Sequence, residues 1–201
     1  MLMGFESSDQ RLLDLMRKGY DRELAKEVIS TAQAVDPDLV SVAMFVVGHP
    51  KETEDDFQRM LRLIEDVGYD SSFSFVFSKR PGTPAAALPD ETPQALKLQR
   101  LQALQALLEQ NVRRISASRV GTVQRILVEG PSKKNPLEFM GRTECNRIVN
   151  FDAGPGGAAR LQGRMIDVFI TEALPHSLRG APVTTDTVLS AAPARTPATT
   201  A

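Results

Sequence analysis

Between Val128 and Phe151 the sequence reads VEGPSKKNPLEFMGRTECNRIVNF. Four cations, Lys133, Lys134, Arg142 and Arg147, fall within fifteen residues, interleaved with Asn146 and Asn150 and set between short apolar runs. On one face of a small barrel, such cations can follow a phosphate backbone. The two amides can bond to base edges or 2′-hydroxyls, or close turns. Phe139, Phe151 and the out-of-register Phe169 offer stacking surfaces. Most phenylalanines of a small domain are core, so one of the three is expected to stack. Cys145 is the only cysteine of the chain. With no second thiol nearby it reads as a small apolar filler of a barrel strand.

These residues need short strands to carry them, and the sequence supplies them from Val120 onward. GTVQRILVEG, FMGRTECNRIVNF and GRMIDVFITEAL are separated by turn-forming residues, a pattern that predicts a small antiparallel barrel of about five strands, OB-like in shape. Residues 113–180 carry 11 Lys and Arg against 6 Asp and Glu, whereas residues 1–112 carry 12 against 18. The net charge of −1 for the 201 residues therefore hides an acidic half and a basic half. A basic small domain is the electrostatic footprint of a polyanion partner.

The acidic half alternates helices and strands. Ser8 or Asp9 can cap a short helix that stops at Gly19, and Asp21 opens a second with apolar residues at three- and four-residue spacing. LVSVAMFVVG is a nearly unbroken apolar run, the mark of a parallel strand covered on both faces. Thr53 with Asp56 can cap the next helix, which ends at Gly68. In SSFSFVFS, Phe73, Phe75 and Phe77 alternate onto one face of a second strand. Thr92 before Pro93 starts a long helix running to about Ser118. Two strands make neither a sheet of normal width nor a closed barrel, so this half reads as a piece of something larger.

Several classes are excluded. One cysteine allows no internal disulfide, no apolar run approaches the ~18 residues of a membrane span, and the first residues do not form a signal peptide. A soluble cytoplasmic protein without a membrane partner is expected. His49 and His176 have no ligand-type neighbour at metal-binding spacing and read as surface or loop histidines; no metal site is expected.

Three segments, EGPSKKNP, MGRTECNRIVNF and ITEALPHSLRG, resemble the C-terminal TRAM domain of the MiaB-type tRNA methylthiotransferases. VVGHPKETEDDF and FSKRPGTPAA resemble the end of the radical-SAM barrel in the same enzymes. The resemblance runs from about Asp9 to Gly180. It implies an α/β fold, a partial radical-SAM (βα) barrel over residues 1–91, then a connecting helix over 92–118. A small antiparallel TRAM β-barrel follows over 119–180 and a disordered tail over 181–201. It also implies a C-terminal fragment of an enzyme that methylthiolates isopentenyladenosine next to the anticodon, retaining mainly the tRNA-binding domain. The expected partner is the tRNA anticodon arm, met through Lys133, Lys134, Arg142, Asn146, Arg147 and Asn150.

Such enzymes use two 4Fe-4S clusters and S-adenosylmethionine. A cluster needs three or four thiolates, so no cofactor is expected on this chain alone and the chain by itself is expected to be inactive. Gly48, Glu52 and Arg80 are the positions that match the family's cofactor-facing segments. Where the family reads V-G-F-P-G-E-T, however, His49 and Lys51 replace an aromatic residue and a glycine. Three readings stay open at this point: an RNA-binding fragment or stand-alone RNA-binding protein, an enzyme half completed by a separately encoded N-terminal half, and an inactive truncated remnant.

Overall fold

A computed structural model describes residues 2–36, 39–133, 135, 137–154 and 160–183, the side chains of residues 2–4 excepted. Lys134 and residues 184–201 lie outside the described residues; of the tail expected over 181–201, Ala181 and Pro182 instead end the last barrel strand. The chain divides into two compact units, Met1–Ile115 and Ser116–Ala201.

The first unit is a three-stranded, all-parallel sheet in the order β1 (Leu2–Glu6), β2 (Val42–Val47), β3 (Ser71–Val76). The helices are α1 (Gln10–Leu15), α2 (Arg22–Val35), α3 (Glu54–Val67) and α4 (Gln94–Ala117), the last extending to the start of the second unit. Local chemistry sets the helix ends. Asp21 caps α2 through Glu23 N–H and Leu24 N–H. Thr53 and Asp56 form a reciprocal capping box on α3, and Gly68 closes that helix in the left-handed region. Helix α1 stops at Leu15, four residues before the expected Gly19, because Arg17 takes φ +57°. Arg17 N–H bonds to the Asp14 carbonyl and Lys18 N–H to that of Leu13, the double bond of a Schellman turn formed without glycine.

Two strands were expected here and three are present. MLMGFE has neither alternation nor β-branched residues, and its strand character comes from parallel pairing with β2. Phe5, Ala43, Phe45 and Val47 turn to the same core as Ile29, Phe57, Met60, Ile64, Leu104 and Leu108. On β3 the residues in register with Ala43 and Phe45 are Ser72 and Ser74, so the Phe73/Phe75 face lies on the other side of the sheet. Those two rings are 54% and 52% exposed beside the half-buried Met44 and Val46. The phenylalanine alternation is therefore real, but it marks the bare face of the sheet.

The second unit closes into a five-stranded barrel in the order β4 (Val123–Pro131), β5 (Phe139–Thr143), β6 (Ile148–Phe151), β8 (Ser177–Pro182), β7 (Met165–Leu174). Four of its seams are antiparallel and one, β6 with β8, is parallel, which corrects the purely antiparallel expectation. Ile126, Val128, Phe139, Val149, Phe151, Val168, Ile170 and Leu178 fill the interior. At Gly141 a Cβ would stand 2.6 Å from the Leu127 carbonyl oxygen, so the β4–β5 seam closes only over glycine there. Among the described residues no helix is long and apolar enough to cross a membrane.

Candidate nucleic-acid interface

The β5–β6 hairpin gathers three of the expected contacts. Arg142 on β5 donates from Nε to Glu129 Oε1 at 3.0 Å and from Nη1 to Asn146 Oδ1 at 3.0 Å. Asn146 itself sits at φ +61°, and its N–H bonds to the Thr143 carbonyl, so it closes the hairpin. Arg147 is half-buried; its Nε donates to Ser116 Oγ at 3.3 Å and its Nη1 to Cys145 Sγ at 3.4 Å. Cys145 is buried, but it sits in the turn between β5 and β6 rather than in a strand as expected, outside the apolar core, with Thr143 Oγ1 at 3.1 Å from its sulfur. Asn150 is half-buried on β6, in register with Met140 and with Arg179.

Lys133 stands apart from that cluster. It is exposed just beyond Pro131, where Ser132 N–H bonds to the Glu138 carbonyl ahead of β5, while Arg147 follows the far end of β5. The length of β5, about 13 Å from Phe139 to Thr143, lies between Lys133 and the Asn146–Arg147 turn. Phe139 and Phe151 are buried with ring centroids 6.3 Å apart, so they belong to the core. Phe169, the one of the three left outside it, is half-buried between the inward Val168 and Ile170.

Residues that the sequence reading passed over lie on the outer ladder of β4 and β7. Leu127 pairs with Met165, Arg125 with Asp167 and Val123 with Phe169. Arg125 holds Asp167 with two bonds, Nε to Oδ1 at 2.8 Å and Nη2 to Oδ2 at 3.1 Å, and the pair keeps the Asp167 carboxyl below its ordinary range. Arg160 and Arg164 are exposed ahead of β7, and Arg164 adjoins the ladder, its carbonyl accepting from Val128 N–H at 2.9 Å. Alternation of outward residues in QRILVEG and GRMIDVF was the available signal.

In the first unit, Gly48 and Glu52 come together in the loop after β2. Gly48 takes φ +78°, and a Cβ there would meet Lys97 Cγ at 2.6 Å, so no other residue fits without movement. Its N–H donates to Glu52 Oε2 at 3.1 Å, while Arg100 Nη1 donates to Glu52 Oε1 at 2.8 Å. The Glu52 side chain is 1% exposed. Burial pushes its carboxyl up, opposed by Gly48 N–H and Arg100. Arg80 lies in the separate loop after β3 with an exposed side chain. His49 is buried, contrary to the surface reading: its Nδ1 accepts from Lys51 N–H at 3.3 Å and its ring stands 5.2 Å from that of Phe77. Burial and the nearby Arg11 hold it neutral, with its pKa below the usual histidine value. His176 is exposed in the turn between β7 and β8. Within the first unit an open cleft of about 400 Å³ is lined among others by Lys51, Thr92, Leu96 and Arg100.

The profile of the TRAM domain matches residues 117–183, the barrel unit almost end to end. Over 181 residues the chain is 59% identical to the tRNA-2-methylthio-N(6)-dimethylallyladenosine synthase of Leptothrix cholodnii, covering 90% of this chain and 38% of that one. The synthases of Paracidovorax citrulli and Methylibium petroleiphilum are 54% and 58% identical, over 90% and 87% of this chain and 39% and 38% of theirs. The chain is homologous to a C-terminal portion of the MiaB-type tRNA methylthiotransferases. It spans about two-fifths of the length of these curated relatives. Coproporphyrinogen III oxidase of Escherichia coli, a radical SAM enzyme, overlaps 71% of this chain and 40% of its own at a TM-score of 0.47 and 14% identity, too loosely to carry a conclusion.

The residues present do not fit an iron–sulfur cluster. The sequence has one cysteine, that thiol is buried against Thr143 and Arg147, and a cluster takes three or four thiolates.

Proposed function

We propose that this chain serves in the 2-methylthiolation of dimethylallyladenosine beside the tRNA anticodon, holding the anticodon arm on its TRAM barrel. The observation that carries the reading is the 59% identity to a synthase of that modification, running through both units. The net excess of cations in residues 113–180 supports a polyanion partner. Lys133, Lys134, Arg142, Asn146, Arg147 and Asn150 remain the contacts suggested by sequence. Among them Arg142 and Arg147 already hold protein groups, which favours Lys133 as the freer phosphate contact. A cytoplasmic setting follows from the tRNA partner. The test is a titration of the 201-residue chain with a labelled anticodon stem-loop at several salt concentrations. Binding that weakens linearly in log–log form with salt is expected; no binding overturns the reading.

A second reading concerns the first unit. The three parallel strands would be part of a radical-SAM barrel, with Gly48, Glu52 and Arg80 toward the cofactor side and a separately encoded half supplying the cluster thiolates. The bare apolar face of Met44, Val46, Phe73 and Phe75 favours it, because all-parallel sheets are normally covered on both faces. Co-expression with a polypeptide matching the remaining three-fifths of the relatives should give a complex that copurifies; separate elution counts against this reading.

A further inference from the structure

We propose that the outer face of β4 and β7 is a stacking and phosphate track for single-stranded RNA, with Leu127, Met165 and Phe169 under the bases and Arg164, Arg160 and Lys133 on the backbone. The inference rests on the RNA-binding reading above and assigns it to a surface other than the β5–β6 hairpin.

Three observations converge on this face. The first is its apolar exposure. Among the described residues of the barrel, Val123 is 54% exposed, Leu127 43% and Met165 52%, and all three lie on two adjacent paired strands. Large apolar side chains grouped in this way mark an interaction site rather than scattered surface.

The second is spacing. The outward rungs Val123/Phe169, Arg125/Asp167 and Leu127/Met165 succeed one another every two residues, roughly 6.7 Å apart along the strand. Sheets that read single-stranded RNA present aromatic side chains to successive bases at such spacing; here Phe169 supplies the ring, and Leu127 and Met165 supply apolar contact without a π-face. The middle rung fits the same use, because the bidentate bond to Asp167 fixes the planar Arg125 guanidinium against the sheet.

The third is the balance of charge. Glu129 is held by Arg142, Glu138 by Arg179 and Asp167 by Arg125, while Glu144, whose charge acts on Arg125, and Asp152 and Glu172 make no ion pair among the described residues. Lys133, Arg160 and Arg164 are exposed and have no carboxylate partner among the described residues. Arg164 is anchored next to the ladder by its carbonyl on Val128 N–H, and Gly163 N–H bonds back to the Val128 carbonyl at 2.8 Å. Gln162 Nε2 adds a bond to the Glu129 carbonyl at 3.1 Å. Arg164 therefore borders the Leu127/Met165 rung on a backbone tied to β4, with Arg160 four residues before it and Lys133 past the end of β4. A protein partner would use the apolar rungs but has no need of three unmatched cations, so the chemistry selects a polyanion with π-faces.

The experiment measures fluorescence anisotropy of a labelled anticodon stem-loop with the 201-residue chain and three variants. Arg160→Glu with Arg164→Glu should weaken binding at least about tenfold and flatten the slope of log affinity against log salt by roughly 1.4–1.8. Leu127→Ser with Met165→Ser should weaken binding about tenfold and leave that slope unchanged, since stacking releases no counterions. Arg160→Lys with Arg164→Lys should restore the unaltered affinity within about threefold, because a phosphate contact needs charge more than shape. Thermal melts confirm that the outward substitutions leave the barrel folded. If the unaltered chain fails to bind RNA, the functional reading falls and this surface with it. If it binds and neither the Arg160/Arg164 reversal nor the Leu127/Met165 serine pair changes affinity, only this surface falls. Self-association abolished by Leu127→Ser with Met165→Ser, with RNA affinity retained, makes the face a protein interface and also overturns the proposal.

Discussion

The Arg100 guanidinium meets the Glu52 carboxylate at 2.8 Å with both side chains almost wholly buried, 6% and 1% exposed. Arg100 also lies 5.4 Å from the Phe57 ring centroid and reaches Glu54 with its other terminal nitrogen, tying α4 to the start of α3.

Removing one partner of such a pair strands the other without water, so Arg100→Met should destabilise the first unit by about 3 kcal/mol or more. Glu52→Gln leaves the Arg100 charge facing an amide that can accept from Gly48 N–H or from Arg100 but not from both, so it should also destabilise the unit, relieved only by the Arg100–Glu54 pair. Both tyrosines of the chain, Tyr20 and Tyr69, lie in the first unit, so tyrosine fluorescence during urea denaturation follows that unit alone. A Glu52→Gln variant as stable as the native chain would mean that Glu54 alone carries the Arg100 charge.

Asp56 and His49 both cost the first unit stability in acid, but in two different pH windows. Burial would raise the Asp56 carboxyl, but Thr53 N–H and hydroxyl, with Arg59 and Arg11, hold its pKa below the unfolded value. Its contribution is complete above the unfolded carboxylate pKa and is lost as pH falls through the lower folded one. The gap of about 1–2 kcal/mol expected between the native chain and Asp56→Asn at neutral pH should therefore close only in strong acid. His49 acts earlier. It is held neutral when folded, while the unfolded chain takes up a proton below about 6.5, so stability falls with pH from there downward. His49→Phe should flatten the stability profile between pH 7 and pH 5 and leave the Asp56 step in place. Denaturation series at fixed pH values check both.

How far the sequence revealed these features depended on whether the signal was local. Caps at Asp21, Thr53 and Gly68 were legible because each is decided within a few residues. Strand β1 was not, since its identity rests on pairing with a strand forty residues away. The number of short strands in the barrel was legible from alternation and turn residues, whereas the parallel β6–β8 seam depends on where the chain returns. At the candidate interface, the composition of the hairpin was visible, but its internal pairing was not. Arg142 and Arg147 look like free cations in sequence and hold Glu129 and Ser116 in the fold.

The single buried thiol sets the outcome of iron loading. Anaerobic reconstitution of the 201-residue chain with iron and sulfide should leave well under one cluster per chain and no cluster absorption in the visible spectrum, because Cys145 supplies one ligand of the three or four required. Cys145→Ser should behave identically in iron content. About four irons per chain, lost in that variant, would show that the barrel opens to expose the thiol.

Hydrogen exchange should separate the two units. The barrel has no open edge, since each of its five strands is paired on both sides. In the first unit only β2 is paired on both sides; β1 and β3 are edges, and β3 carries the exposed Phe73 and Phe75 beside its bare face. Backbone amides of β2 should therefore exchange more slowly than those of β1 and β3, and β4, β5 and β7 should be the slowest of the described strands. Replacing Phe73 and Phe75 by Lys places charges on the bare face without touching the helix-side core, so it should reduce binding of a hydrophobic dye and leave exchange in β2 unchanged. Faster exchange throughout β2 in that double variant would mean that the two rings support the sheet itself, and the bare face would then have to be read as part of the core.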